Sequence, residues 1–122
     1  MLSVCKKFDF CYGHHLPGYQ GDCKNAHGHN GIVQVEVAEG VYDEGDIYPS
    51  MVIDFKEMKK IVKEEVINLL DHKYLNDVIE IPTAENTVRF LVEKLKKPFG
   101  SHLVRVRFYE TPDSYAEWKR DK

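Results

Sequence analysis

The segment Ile32-Val33-Gln34-Val35-Glu36-Val37 alternates without interruption, with Val33, Val35 and Val37 on one side and Gln34 and Glu36 on the other. Strand side chains point to opposite faces in turn, so this stretch reads as a strand with one face buried and one wet. Upstream of it stands Cys23-Lys24-Asn25-Ala26-His27-Gly28-His29. On an extended backbone two histidines one residue apart project the same way, and Gly28 between them lets main chain crowd close. His14 and His15 lie earlier in the chain and can add a third imidazole. Three histidines suit Zn2+ and leave a fourth coordination position open, which separates catalytic from structural zinc. His14 and His15 face apart on an extended backbone, so only one of them serves, and the residues alone do not choose. Cys23 has three readings: a reactive thiol whose pKa the metal and imidazoles lower, a fourth ligand that closes the site, or an inert buried thiol.

Working outward, residues 1–12 read as a first strand that runs into a loop from His14 to Gly21, broken by Pro17 and Gly18. Cys5 and Cys11 in or beside that strand are taken as packing residues. Gly40 to Pro49 is acidic and turn-rich, the tip of a hairpin, and Met51-Val52-Ile53 resumes an extended run. Asp54 with Glu57 three residues on forms a capping box for a helix whose apolar stripe is Phe55, Met58, Ile61, Val62, Val66, Leu69 and Leu70. It stops near Asp71-His72-Lys73. A second helix starts at Thr83 behind Pro82, buries Val88, Leu91, Val92 and Leu95, and ends at Pro98 and Gly100. Leu103 to Tyr109 alternates again, Val104, Val106 and Phe108 against Arg105, Arg107 and Tyr109.

The order is strand, strand, strand, helix, helix, strand: an α+β domain over residues 1–122, with a four-stranded antiparallel sheet and both helices on one face. Such a sheet has two open edges, which joining of sheets between copies would close. The net charge of −3 and pI near 6.1 exclude a broadly basic surface and make nucleic acid an unexpected partner. No apolar run approaches the ~20 residues that span a bilayer. The first ten residues carry Lys6, Lys7 and Asp9 and lack a signal-peptide core. With an odd number of cysteines, three, a disulfide framework is not expected and the chain reads as cytoplasmic.

Two further groups can do chemistry. Asp71-His72 after the first helix is either an acid–base pair, the carboxylate orienting the imidazole, or a helix C-terminal histidine facing the dipole. Glu110 ends the last strand on the face of Val104, Val106 and Phe108. It is either a rim carboxylate or a bidentate acceptor for a heterocycle with adjacent N–H donors.

Read together, Phe8-Asp9-Phe10, His14-His15-Leu16-Pro17, Cys23-x-x-x-His27-Gly28-His29-Asn30, Ile53-Asp54-Phe55, Leu70-Asp71-His72-Lys73-Tyr74-Leu75-Asn76-Asp77, Pro82-Thr83-Ala84-Glu85-Asn86 and Tyr109-Glu110-Thr111 resemble the 6-pyruvoyl-tetrahydropterin synthase family over nearly the whole chain. Within it the short spacing from Cys23 to His27 and the Ile53-Asp54-Phe55 triplet are similar to the 6-carboxy-tetrahydropterin synthase branch of the queuosine pathway. The resemblance implies the tunnelling fold, zinc held by His14, His27 and His29, a catalytic Cys23 assisted by Asp71 and His72, and Glu110 as the anchor of the pterin ring. Thr83 and Glu85 fall in the segment that lines the pterin pocket. The implied substrate is 7,8-dihydroneopterin triphosphate, which loses triphosphate and, in the 6-carboxy branch, acetaldehyde; the 6-pyruvoyl branch retains the side chain. The implied assembly is a homo-oligomer, a hexamer made as a dimer of trimers, with active sites between subunits. The chain departs from the family at His15, where Arg is common, at Gly31, where an aromatic residue is common and its lack loosens one pocket wall, and in a longer hairpin between Val37 and Val52.

Two readings from other classes compete. A structural zinc domain would use Cys23 as fourth ligand in a closed site of one cysteine and three histidines, and would unfold on chelation. A zinc hydrolase would use metal-bound hydroxide and keep its activity without Cys23.

Overall fold

The computed structural model describes residues 2–18, 27–38 and 51–121; Cys23 and the hairpin tip expected from Gly40 to Pro49 lie outside the described residues. Two long strands form the centre, β1 (Ser3–His14) and β2 (His27–Ala38), antiparallel from Ser3↔Ala38 to His14↔His27. β1 therefore reaches past residue 12, and β2 runs back through the His-Gly-His triplet. The chain then enters α1 (Phe55–Val62), a π turn (Lys63–Ile67) and α2 (Asn68–Leu70), one continuous helical segment. After it come β3 (Lys73–Tyr74), a 3-10 turn (Leu75–Asp77), α3 (Ala84–Phe99), β4 (Leu103–Thr111) and β5 (Ser114–Lys119).

The sheet order is β3-β1-β2-β4-β5, five strands where four are expected. Met51–Ile53 is not a strand: Val52 and Ile53 bury their side chains just ahead of the helix cap. The extra strands are β3, which adds two residues in parallel to Tyr12 and Gly13, and β5, which folds back on β4. The β4–β5 turn is held by Asp113, whose Oδ1 accepts from Thr111 Oγ1 at 2.8 Å and Ser114 Oγ at 3.1 Å. A bulge opposite Glu36 and Val37 shifts the phase of β4, so Leu103 enters the core and Val104 only partly does.

Asp54 caps α1 by accepting from Lys56 N–H at 2.8 Å, and Glu57 adds its charge to the first turn. Met58, Val62, Val66, Ile67 and Leu70 are buried, but Leu69, expected in the stripe, is 41% exposed and Phe55 50%. The π turn inserts a residue and rotates the rest of the helical segment, bringing Ile67 inward and Leu69 outward. Thr83 caps α3 through Asn86 N–H at 3.1 Å, and Gly100 at φ +57 ends it in a conformation that favours glycine.

Both helical segments cover one sheet face. They meet Phe8, Phe10 and Tyr12 from β1, Val33, Val35 and Val37 from β2, and Val106 and Phe108 from β4. Among the described residues nothing covers the other face, and on it Cys5 and Cys11 are exposed rather than packed, because the core is filled from the even members of β1. Among the described residues no helix is long and apolar enough to cross a membrane. Among the described residues β3 pairs with β1 only at Tyr12 and Gly13, so most of the β1 edge has no strand partner there, and β5 is the opposite edge.

Candidate metal centre

The residue phase that fills the core also delivers the site. Along β1 the buried series Phe8, Phe10, Tyr12 continues to His14, which is 2% exposed. Along β2 the series Val37, Val35, Val33 continues through Gly31 to His29 and His27, and on β4 Val106 and Phe108 lead to Glu110. The pairings His14↔His27 and Tyr12↔His29 bring the β1 and β2 series to one end of the sheet. There His14, His27, His29 and Glu110 offer four donor atoms that all lie within 4.8 Å of one another.

Each distance has a chemical consequence. His14 Nδ1 lies 3.0 Å from the Pro82 carbonyl, which can only accept, so Nδ1 carries the proton and Nε2 presents a lone pair. That Nε2 is 2.9 Å from His27 Nε2 and 3.6 Å from Glu110 Oε1. His29 Nε2 is buried and makes no well-formed hydrogen bond among the described residues, although Glu110 Oε1 lies 3.1 Å away. Burial pulls the His29 pKa down more strongly than the Glu110 charge raises it, with His14 and His27 adding to the fall. A neutral imidazole with an unused lone pair is the form that binds metal. The Glu110 carboxyl is held below its ordinary range, against its burial, by a His14 that protonates at Nε2 in the absence of metal and then by the charges that His29, His14 and His27 carry when protonated. Imidazoles and one carboxylate at these separations fit a divalent ion such as Zn2+.

The rings are locked by one another. His14, His27 and His29 pack edge to face with centroids 4.5, 4.7 and 5.0 Å apart. Tyr12 lies against His14 at 5.3 Å and His29 at 5.5 Å. Its phenol is pushed well above the usual range by burial and then by Glu110, and its hydroxyl has no hydrogen-bond partner among the described residues. Gly31 explains itself here: a Cβ on it would stand 2.9 Å from both Phe108 Cε1 and Tyr12 Cε1. The expectation of a loosened wall is therefore corrected, since Tyr12 and Phe108 fill the space an aromatic residue 31 would need.

The other expected residues separate. His15 turns away from the cluster, bonding Tyr74 Oη through Nδ1 and stacking on the Tyr74 ring. Asp71 and His72 are not in the donor group; they dock on the β1 edge. Asp71 Oδ1 accepts from Cys11 N–H at 3.0 Å and lies 3.0 Å from His72 Nδ1, and His72 N–H donates to the Cys11 carbonyl at 2.7 Å. The Cys11 N–H, more than His72, depresses the Asp71 pKa. His72 adopts φ +59, unusual for a side-chain-bearing residue, and its side chain is 78% exposed. Glu85 and Glu110 line one cleft of about 380 Å³ with Ala84, Ser114 and Tyr115, whereas the Thr83 hydroxyl is engaged as the α3 cap. Sequence reasoning misses Tyr12 and the Pro82 carbonyl. Tyr12 is open to detection as the member of the β1 series before His14; a carbonyl partner 68 residues away leaves no sequence signal.

The family model described as 6-pyruvoyl tetrahydropterin synthase matches residues 3–121. The 6-carboxy-5,6,7,8-tetrahydropterin synthase of Haemophilus influenzae is 31% identical, over 98% of this chain and 99% of its own. A putative 6-carboxy-5,6,7,8-tetrahydropterin synthase of Archaeoglobus fulgidus is 40% identical, over 91% of this chain and 90% of its own. The structure of Caenorhabditis elegans 6-pyruvoyl tetrahydropterin synthase superimposes with a TM-score of 0.80 at 27% identity, covering 98% of this chain and 96% of the other.

Proposed function

Since the chain belongs to the 6-pyruvoyl tetrahydropterin synthase family, we propose that it is a zinc-dependent lyase acting on 7,8-dihydroneopterin triphosphate, with 6-carboxy-5,6,7,8-tetrahydropterin, triphosphate and acetaldehyde as products. The observation that carries this reading is the convergence of His14, His27, His29 and Glu110 within 4.8 Å at the open end of the sheet. His14, His27 and His29 would hold the zinc; when bound, it would acidify the hydroxyls and adjacent C–H positions of the substrate side chain.

The remaining roles belong to the chain itself. Cys23, four residues before His27, is the proposed base. Asp71 keeps the proton on His72 Nδ1 and so leaves Nε2 as an acceptor; the exposed ring on the β1 edge can serve a site it does not share with its own histidine cluster. Glu110 and Glu85 share the cleft beside the cluster, where carboxylates can receive the N–H edge of a pterin. The edges on β1 and β5, unpaired over most of their length among the described residues, support joining of sheets between copies, and we propose a hexamer built as a dimer of trimers. In that assembly Asp71 and His72 of one copy meet the metal centre of the next. The names of the Haemophilus and Archaeoglobus relatives favour the 6-carboxy product and hence the queuosine pathway.

The test is incubation of zinc-loaded protein with 7,8-dihydroneopterin triphosphate, mass analysis of the pterin, and an acetaldehyde assay. A 6-carboxy product with acetaldehyde is expected. Triphosphate release with the side chain retained moves the chain to the 6-pyruvoyl branch. Unchanged substrate with folded, zinc-replete protein overturns the synthase reading.

A further inference from the structure

The segment between α2 and α3 reaches the metal-facing end of β1 by two routes. One is the Pro82 carbonyl on His14 Nδ1 at 3.0 Å. The other is a closed pairing between the Asn76 carboxamide and the main chain of His15. His15 N–H donates to Asn76 Oδ1 at 3.0 Å, and Asn76 Nδ2 donates to the His15 carbonyl at 3.1 Å. A side-chain amide that engages both peptide groups of one residue imitates a strand partner and fixes that residue's position and tilt together. The support is rigid, because Asn76 sits in the 3-10 turn Leu75–Asp77 and its neighbour Leu75 is fully buried.

The place where this pairing acts matters. The Cys11 N–H and carbonyl are engaged by Asp71 and His72 and so face away from β2. Strand alternation turns the His15 groups to the same edge, and Asn76 holds them there one residue past the His14↔His27 pairing. His15 contributes no side chain to the donor group, so holding its backbone has its effect through His14. We propose that Asn76 is a positioning residue of the metal centre: by clamping both main-chain groups of His15 it fixes the direction from which His14 Nε2 enters the donor group. The inference rests on the metal-site reading above and adds a residue to it. The competing role, simple docking of a loop, would change stability and leave the metal's surroundings alone.

The experiment titrates metal-free wild type, Asn76→Ala, Asn76→Asp and His14→Ala with Co2+. Affinity is read by competition with a chelating dye, geometry by the visible absorption of the bound ion, and folding by thermal unfolding of the metal-free proteins. Asn76→Ala removes both contacts. Asn76→Asp keeps the acceptor for His15 N–H and loses the donor to its carbonyl, and it carries the test if the alanine variant does not fold. Loss of an outer-shell partner costs about 10–100-fold in metal affinity, and that loss with an altered spectrum is the expected result for the Asn76 variants, the aspartate falling between wild type and alanine. His14→Ala loses the tight site. Wild-type affinity and spectrum in a folded Asn76 variant, with His14→Ala still defective, overturns the positioning role and leaves the metal site standing. A wild-type protein that takes up no Co2+ overturns both.

Discussion

Replacing Gly31 with alanine adds a single methyl group at the junction of core and metal centre. The new Cβ would lie 2.9 Å from Phe108 Cε1, 2.9 Å from Tyr12 Cε1 and 3.3 Å from Phe108 Cζ. Neither ring can yield easily: Tyr12 is 4% exposed and Phe108 1%, and both pack on Phe10 and on each other. Overpacking of this kind costs about 1–3 kcal/mol. Alanine also stiffens the unfolded chain, a gain of about 0.4–1 kcal/mol where the native backbone suits it. The clash is the larger effect, leaving a net loss of about 1–2 kcal/mol, which for a domain of this size lowers Tm by about 4–8 °C. The displaced Tyr12 ring bears on His14 and His29, so metal affinity should fall with stability. Denaturant unfolding of metal-free protein and chelator competition measure the two effects separately. The Phe108→Leu background removes the clashing Cε1 and Cζ atoms, so the alanine should cost less there, a coupling that a double-mutant cycle reads directly. An alanine variant at least as stable as wild type, or one whose cost is the same in both backgrounds, would refute the packing argument.

Glu110→Gln keeps the shape of the side chain and removes the charge that raises the His29 pKa; histidine titration by NMR in metal-free protein should place His29 lower than in wild type. Cys23→Ala should abolish turnover while metal content stays at the wild-type level; retained turnover would favour the hydrolase reading, and loss of the metal the closed site with Cys23 as fourth ligand. Metal-free protein should lose stability on acidification. The lowered His29 pKa means the unfolded state takes up the proton first, so the loss starts below the ordinary histidine value of about 6.5. Depressed Glu110 adds a further loss as pH falls through its folded pKa, and urea midpoints between neutral and acid pH would show both.

The range of the forces involved decides how much of the molecule is legible in the sequence. Strict alternation at Val33, Val35 and Val37 locates β2 because burial of one face leaves a period of two in the residues themselves. Asp54 and Thr83 locate helix starts for the same reason, since a cap acts within three residues. Met51-Val52-Ile53 misleads because three apolar residues carry too short a pattern to separate a strand from core-filling loop. β5 escapes because Tyr115-Ala116-Glu117-Trp118 alternates only weakly on an edge with one half-covered face. The π turn and the β4 bulge have no local signature; each is settled by the surfaces the chain packs against. The histidines are legible through spacing, and the choice of His14 over His15 comes with the family resemblance. The Asn76 clamp joins residues 61 apart, and no local reading reaches that far.

The candidate metal centre sits where it does because the core runs out there. Along β1 and β2 the inward-facing positions are apolar under the helices, Lys6 excepted, and become histidine toward the His14↔His27 end of the shared ladder. Strand pairing fixes main chain to main chain, so it brings His14, His27 and His29 together whatever their side chains are, and β4 adds Glu110 from the same face. The site therefore inherits its rigidity from the ladders. To the ladders the connection between α2 and α3 adds two holds of its own, the Pro82 carbonyl on the His14 ring and Asn76 on the His15 main chain. The same layout leaves Asp71 and His72 on the far side of β1, tied to Cys11 main chain and turned toward solvent. In the proposed assembly the Asp71–His72 pair on the strand edge and the candidate metal centre at the sheet's end would be complementary halves, each presented to a different neighbour. If the proposed assembly is right, a mixture of His14→Ala and His72→Ala proteins, each inactive alone, should regain activity on co-assembly, because mixed oligomers contain boundaries where both halves are intact. Random mixing of equal amounts leaves about a quarter of such boundaries competent, by the arithmetic of independent choice at two positions. No recovery in verified mixed oligomers would place both halves in one subunit.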